Sequence, residues 1–217
     1  DGSSSYFMLP LMEECYMPAG DPKLAVQAES EQLDRGGFSC HVLPTFNTYS
    51  RKSHWIDIYN QGGGKLAWKS VASDEWIVLS CQSGITSTED RIRVSIDWDK
   101  VPVGEKVTGG IEFSSGMQKE RVFVSVFNPM VPARDELQGL FVEENGYVSL
   151  PATDFHRKFE SNDIKMHILP GLGFEGSALQ IGSPTAPLQM YRSGEVPRVE
   201  YDFYTFNAGI VDVYPYV

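Results

Sequence analysis

The chain has 217 residues, of which 41% are hydrophobic and 22% are charged, so it can form one large or two small domains with packed cores. Its net charge of −11 makes nucleic-acid backbones and anionic membrane surfaces unfavourable partners. No apolar run approaches the roughly 20 residues that span a bilayer.

Residues 1–45 predict a leading segment that connects to an upstream domain. The opening DGSSS is too polar for a signal peptide, and we expect it to follow a cleavage site or a trimmed tail. Prolines interrupt the segment, so we expect only a helical turn near 9–15 and a short strand over 23–28. The cysteines are Cys15, Cys40 and Cys81. They lack a C-x-x-C spacing, so three thiols are expected rather than a zinc site, with one disulfide bridge as the alternative.

Residues 46–129 carry short alternations of apolar and polar residues, which are typical of strands with one buried face. These alternations predict strands near 54–60, 66–73, 76–80, 90–97, 107–113 and 119–127. Such a series is typical of an immunoglobulin-like antiparallel β-sandwich. The glycines at 62–64 predict a flexible hairpin link. Because Trp68 and Trp76 lie in alternating segments, we expect both to be buried anchors.

Residues 130–139 predict a linker, because prolines bar a continuing strand and ARDEL suits a single helical turn. Residues 140–217 predict a second β module. The pair Asn145-Gly146 is a turn signal between two short strands. Further strands are expected over 165–169, 176–181, 197–206 and 209–216. The predicted fold class is therefore all-β, with a second, jelly-roll-like module after the sandwich.

An ordered series of segments resembles a known family. FVEENGYVSLPATDFHRKF, MHILPGLGFEGSALQIGSPTAP and PRVEYDFYTFNAGIVDVYPYV are similar to the C-terminal region of glycoside hydrolase family 115, the xylan α-glucuronidases. The preceding YSRKSHWIDIYNQGGGKLAWKSVASDEWIVLS and RIRVSIDWDKVPVG are similar too. This first module also resembles a Bacteroidetes-type carbohydrate-associated sandwich, through Trp76, Leu79, Ser80 and Gly84.

The resemblance implies a bacterial, secreted or periplasmic parent enzyme that removes 4-O-methyl-glucuronic acid branches from xylan. It places the catalytic carboxylates in an upstream barrel domain, so no catalytic residue is carried over and this chain alone is expected not to be an enzyme. The family's last module normally continues beyond the position of Val217. We therefore expect a truncated module whose edge near 204–216 pairs with the rest of the parent or with a second copy.

Other chemical motifs have simpler interpretations. The acid pairs Asp97/Asp99 and Glu200/Asp202 predict solvated faces or turn caps rather than a glycosidase pair. The glycines of 171–176 match G-x-G-x-x-G, but the following SALQIGSP alternates and cannot form the helix of a nucleotide site. Histidines lack metal-binding spacing. The acidic positions of a jelly-roll calcium site are Pro151 and Thr153 here, so no cofactor or metal is expected.

Three tyrosines of the second module, Tyr191, Tyr204 and Tyr214, are the candidates for stacking on sugar rings. The first functional hypothesis is a structural or dimerisation scaffold for the catalytic domain. The second is a carbohydrate-binding module for xylan or another plant polysaccharide. The third is an independent surface or adhesion protein that shares only the modules.

Overall fold

The computed structural model describes residues 20–29, 41–161, 164–173, 176–185 and 196–215. In this part of the chain every regular element is a strand except one 3-10 turn at Arg134–Leu137, which confirms the all-β class. The chain divides into two compact units. The first contains Asp1–Phe46, Lys52–Pro102 and Lys106–Ser125, and the second contains Asn47–Arg51, Val103–Glu105 and Val126–Val217.

A four-stranded antiparallel sheet forms one layer of the first unit. Its strands, in spatial order β1-β4-β8-β6, are β1 (Leu24–Ala28), β4 (His54–Asn60), β8 (Glu89–Ile96) and β6 (Ile77–Leu79). The expected strand over 23–28 is confirmed as β1, and it lies at the sheet's edge. Trp76 lies one residue before β6, so that strand is shorter than predicted.

A six-stranded sheet forms the other layer. Its spatial order is β2-β10-β9-β5-β7, with β3 also paired to β10. The strands are β2 (His41–Val42), β3 (Phe46–Asn47), β5 (Leu66–Ala72), β7 (Ser83–Thr86), β9 (Gly104–Ser115) and β10 (Gln118–Asn128). The alternation predicted an antiparallel sandwich, but strand β2 runs parallel to β10, so the pairing is not antiparallel throughout. The two-residue strands and β7 were not predicted, because they are too short for a recognisable period.

The core lies where the inner faces of the two sheets meet. Alternate residues are buried in both, as a period of two requires. The four-stranded sheet buries Leu24, Val26, Ile56, Ile58, Ile92 and Val94, and the other buries Leu66, Trp68, Ile111, Phe113, Val122 and Val124. Each such side chain contributes about 1.5–3 kcal/mol. The indole N–H of Trp68 donates to Asp90 Oδ2 at 2.7 Å, which joins the layers by a hydrogen bond.

The predicted hairpin at the glycine run 62–64 is wrong. Strands β4 and β5, which it connects, belong to different sheets. The glycines instead allow the chain to cross close to residues 20–23. A Cβ on Gly62 would overlap the carbonyl oxygen of Asp21, and the N–H of Gly63 donates to the Gly20 oxygen at 3.0 Å. The run therefore serves close backbone approach rather than a two-strand turn.

The second unit contains three two-stranded sheets within its described residues. Parallel β11 (Phe141–Val142) pairs with β16 (Phe203–Tyr204). Antiparallel pairs join β12 (Arg157–Phe159) to β15 (Arg198–Glu200) and β13 (Met166–Pro170) to β14 (Ser177–Ile181). This is a smaller set of pairings than the eight strands of a complete jelly roll. The predicted helical turn in ARDEL is confirmed as the 3-10 turn.

Turn chemistry was predicted well in this unit, whereas strand length was not. Asn145 and Gly146 both have positive φ, as the turn signal requires. Gly171, Gly173 and Gly176 also have positive φ and lie between β13 and β14, so the glycine motif is a hairpin turn. The strand predicted over 197–206 is interrupted at 201–202. The strand predicted over 209–216 is wrong for its described residues 209–215, which pair with no strand.

Replacing Trp76 by alanine should destabilise the first unit by about 3–5 kcal/mol, because it empties a buried aromatic site. Trp76 is 5% exposed, and a Cβ on Gly109 would lie 2.9 Å from its ring. Denaturant unfolding measures the change, with the exposed Val78→Ala as the matched control. A loss below about 1 kcal/mol for Trp76→Ala would contradict the burial.

Candidate functional site

The three predicted sugar-stacking tyrosines have different surroundings. Tyr191 lies outside the described residues. Tyr204 lies in β16 and packs edge-on against Phe206, with 5.2 Å between the ring centroids. Tyr214 is 78% exposed and belongs to no strand. Of the two described tyrosines, Tyr214 offers its ring to a ligand, whereas Tyr204 is engaged in packing, and the binding role stays a prediction.

Tyr204 belongs to an aromatic cluster within the second unit. Phe206 lies at its centre, with centroid distances of 4.7 Å to Phe127 and 5.4 Å to Tyr49. The Tyr49 hydroxyl donates to the Pro132 carbonyl at 2.7 Å. Burial, and next the nearby Tyr204, raise the pKa of Tyr49. Because such ring pairs add about 0.5–1.5 kcal/mol beyond burial, the cluster is a structural core rather than a binding platform.

The segment 47–51 is tied into this unit by side-chain hydrogen bonds. Asn47 donates from Nδ2 to the Glu143 carbonyl at 3.2 Å, and Ser50 donates to Glu144 Oε1 at 2.8 Å. Glu143 in turn accepts from the Phe206 N–H at 2.8 Å. The residues in these contacts are 96, 94 and 63 positions apart, so no local sequence pattern could have indicated them.

A guanidinium clamp organises the β12–β15 sheet. Arg157 donates to both oxygens of Asp202, at 2.6 and 2.7 Å, and to Glu200 at 2.8 Å. Arg198 also donates to Glu200 at 2.8 Å, and its guanidinium lies 3.9 Å above the Phe159 ring centroid. The hydrogen bonds from Arg157 lower the pKa values of Asp202 and Glu200, and the two carboxylates raise the pKa of Arg157.

This electrostatic arrangement is wrong for glycoside hydrolysis. A general acid needs a raised pKa so that it carries a proton at working pH. Glu200 and Asp202 are instead held ionised by Arg157. The sequence predicted a solvated face or a cap at this pair, and the structure shows ion-pair partners. Asp97 does act as a turn cap, since its Oδ1 accepts from the Asp99 N–H at 3.3 Å.

An apolar stretch of the second unit, residues 210–214, is open to solvent. Ile210 is 97% exposed and Val213 is 81% exposed, and Val211 and Tyr214 are also largely exposed. Four of these five residues are apolar, and Asp212 is the fifth. We call these residues the exposed segment.

The described residues contain no group of three or more His, Cys, Asp or Glu that could hold a metal ion. No helix in the described ranges is long and apolar enough to cross a membrane. Cys81 is an exposed free thiol, whereas Cys15 and Cys40 lie outside the described ranges.

Residues 140–217 match the model of the glycosyl hydrolase family 115 C-terminal domain. The described residues of this stretch form the small sheets and the guanidinium clamp, and they include Tyr204 and Phe206 of the aromatic cluster. The stretch is similar to the C-terminal domain of that family, as its residues predicted. The Bacteroidetes-type likeness of the first module stays a prediction. No curated protein matches the chain.

Solved structures show distant likenesses. The E. coli chaperone DraB is 11% identical, with 70% of each chain covered and a TM-score of 0.37. Domains 5–6 of the S-layer protein SbsC are 14% identical over 75% of this chain and 85% of that one, with a TM-score of 0.34. A Bacteroides ovatus GH5 xyloglucanase complex is 16% identical, with a TM-score of 0.34. The match covers 56% of this chain and 22% of the xyloglucanase chain. Scores of this size support no functional inference.

Replacing Arg157 by glutamine should raise the pKa values of Glu200 and Asp202, because it removes the donors that stabilise their ionised forms. A folded-state pKa below the unfolded value gives stability that is present above the ordinary carboxyl range and lost as pH falls through the folded pKa. The free energy of unfolding of the variant should therefore depend less on pH in the acid range than that of the unsubstituted chain. NMR titration of the carboxyl groups measures the pKa values of Glu200 and Asp202, with Arg134→Gln as the control. Unchanged pKa values in the Arg157→Gln variant would contradict the clamp.

Proposed function

We propose that this chain is the non-catalytic C-terminal part of a xylan α-glucuronidase-like enzyme of family 115 and serves as a structural or dimerisation scaffold for the catalytic domain. The family match over 140–217 supports the parentage. The observation that carries the scaffold role is the exposed segment, because a contiguous apolar stretch is stabilised when another surface covers it. The parent is then a secreted or periplasmic bacterial protein.

The partner of the exposed segment is the rest of the parent enzyme, and a second copy of the chain replaces it when the parent is absent. The segment reads IVDVY and carries a single charge, Asp212. Its β-branched residues favour strand pairing with an added edge. The charge of −11 on the whole chain opposes nonspecific association, so pairing through this segment remains selective.

A second candidate function is carbohydrate binding, to xylan or another plant polysaccharide. It is favoured by the open ring of Tyr214, since an exposed aromatic face can stack on a sugar. Retention of the purified chain on insoluble xylan separates binding from a purely structural role. The third hypothesis, an independent surface or adhesion protein, is separated from both by the reading frame upstream of this chain.

The chain alone should associate in a concentration-dependent way at micromolar concentrations, and Val213→Glu should weaken that association by placing a charge in the apolar contact. Sedimentation velocity measures both effects. Met117→Glu is the matched control, because Met117 is 99% exposed in the β9–β10 turn of the first unit. If the unsubstituted chain and the Val213→Glu variant are both monomers at every concentration, the proposal is wrong.

Purified chain should release no glucuronic acid from glucuronoxylan. The family resemblance places the catalytic carboxylates in an upstream barrel domain, and the acid pair at Glu200 and Asp202 is held in its ionised form by Arg157. Chromatographic detection of free uronic acid measures the activity, with heat-treated chain as the blank. Release above that blank would show that the chain carries a catalytic site.

A further inference from the structure

The outer face of the four-stranded sheet carries a tryptophan between two arginines. In β4, His54 and Ile56 are buried on the inner face, so Trp55 projects from the outer face. Arg93 of β8 lies directly opposite Trp55 in the antiparallel register. Their side chains are therefore neighbours on the same face.

Arg91 is held above the indole ring. Its guanidinium carbon lies 4.0 Å from the Trp55 ring centroid. It also donates to both carboxylate oxygens of Asp57, at 2.6 and 2.7 Å. Asp57 thus balances the charge of Arg91 and fixes its guanidinium against one face of the Trp55 ring.

Arg93 and Trp55 keep unused hydrogen-bond donors. Neither the Arg93 guanidinium nor the Trp55 indole N–H contacts an acceptor among the described residues. The hydrogen bonds of both residues are made by their backbone N–H and C=O groups, and the Trp55 ring contacts Arg91. The nearby Glu29 is already engaged, since its Oε2 lies 3.0 Å from His54 Nδ1 and accepts from the Trp55 backbone N–H at 3.1 Å. The Arg93 guanidinium therefore has no carboxylate partner among the described residues, and the further carboxylate of this face, Glu89, lies opposite Tyr59 at the far end of the β4–β8 pair.

We propose that this face binds a carboxylated carbohydrate. Arg93 and the indole N–H would hold the carboxylate by charge-assisted hydrogen bonds, and the face of the Trp55 ring that Arg91 does not cover would contact the apolar side of the sugar ring. The donor-rich pair of Arg93 and Trp55 complements an anionic ligand, on a chain whose net charge is −11. We call Trp55, Arg91 and Arg93 the indole–arginine face.

The position in the sheet favours a sugar over an acidic peptide. Peptides commonly add to a sheet through free backbone groups at an edge. Strand β4 lies between β1 and β8, so its backbone groups are paired on both sides. Recognition at the indole–arginine face must therefore use side chains alone. The inference concerns the first unit and does not depend on the exposed segment of the second.

The test uses the intact 217-residue chain in affinity electrophoresis. One gel contains a uronate-bearing xylan, and a matched gel contains the same polymer with its carboxyl groups reduced to alcohols. Retardation should occur in the first gel, weaken with added salt and be lost in the second. Arg93→Gln should weaken the affinity about tenfold, the effect of losing one charge-assisted hydrogen bond.

Two further variants separate binding from folding. Trp55→Phe keeps a ring but removes the indole N–H, so it should weaken binding to the carboxylated polymer without changing the thermal midpoint. Arg121→Gln is the control, because Arg121 also lies over an exposed aromatic ring, Phe123, at 5.2 Å, on the other sheet.

Equal retardation by the native and reduced polymers, or no retardation by either, would overturn the proposal. Equal weakening by Arg93→Gln and Arg121→Gln would also overturn it, because it would indicate nonspecific charge. Binding to poly-glutamate as tight as to the carboxylated xylan would replace the sugar ligand with an acidic peptide.

Discussion

The position of Trp68 between the two sheets is the constraint on which the first unit depends. The indole donates to Asp90 across the layers at 2.7 Å. Gly84, the register partner of Trp68 on β7, lies so close that a Cβ there would come within 2.8 Å of the ring. One aromatic ring therefore sets the spacing of the layers, the pairing of β7 and the need for glycine at this point.

Strands whose residues alternate strictly between apolar and polar could be predicted from the sequence, because local alternation decides which face of a strand is buried. Strands β4 and β8 are such cases. The glycine run at 62–64 was misassigned because its cause is the backbone of Asp21, more than forty positions earlier in the chain. Residues 209–215 have the composition of a strand but form none, because a strand also needs a neighbouring strand to pair with.

The candidate site was less predictable than the fold. Exposed Tyr214 could be proposed from its position, but packing of Tyr204 against Phe206 depends on a cluster that includes Tyr49. The clamp by Arg157 likewise depends on the register of two three-residue strands. Few apolar side chains are buried among the described residues of the second unit, so aromatic contacts and ion pairs stabilise much of it, and the exposed segment remains uncovered.

Amide hydrogen exchange over residues 209–215 tests the scaffold account most directly, because it reports whether the exposed segment is covered. The same residues should be compared in this chain alone at low concentration and in the longer parent enzyme. The account predicts rapid exchange in the chain alone and strong protection in the parent. Equally rapid exchange in both would show that no partner pairs with the exposed segment and would contradict the account.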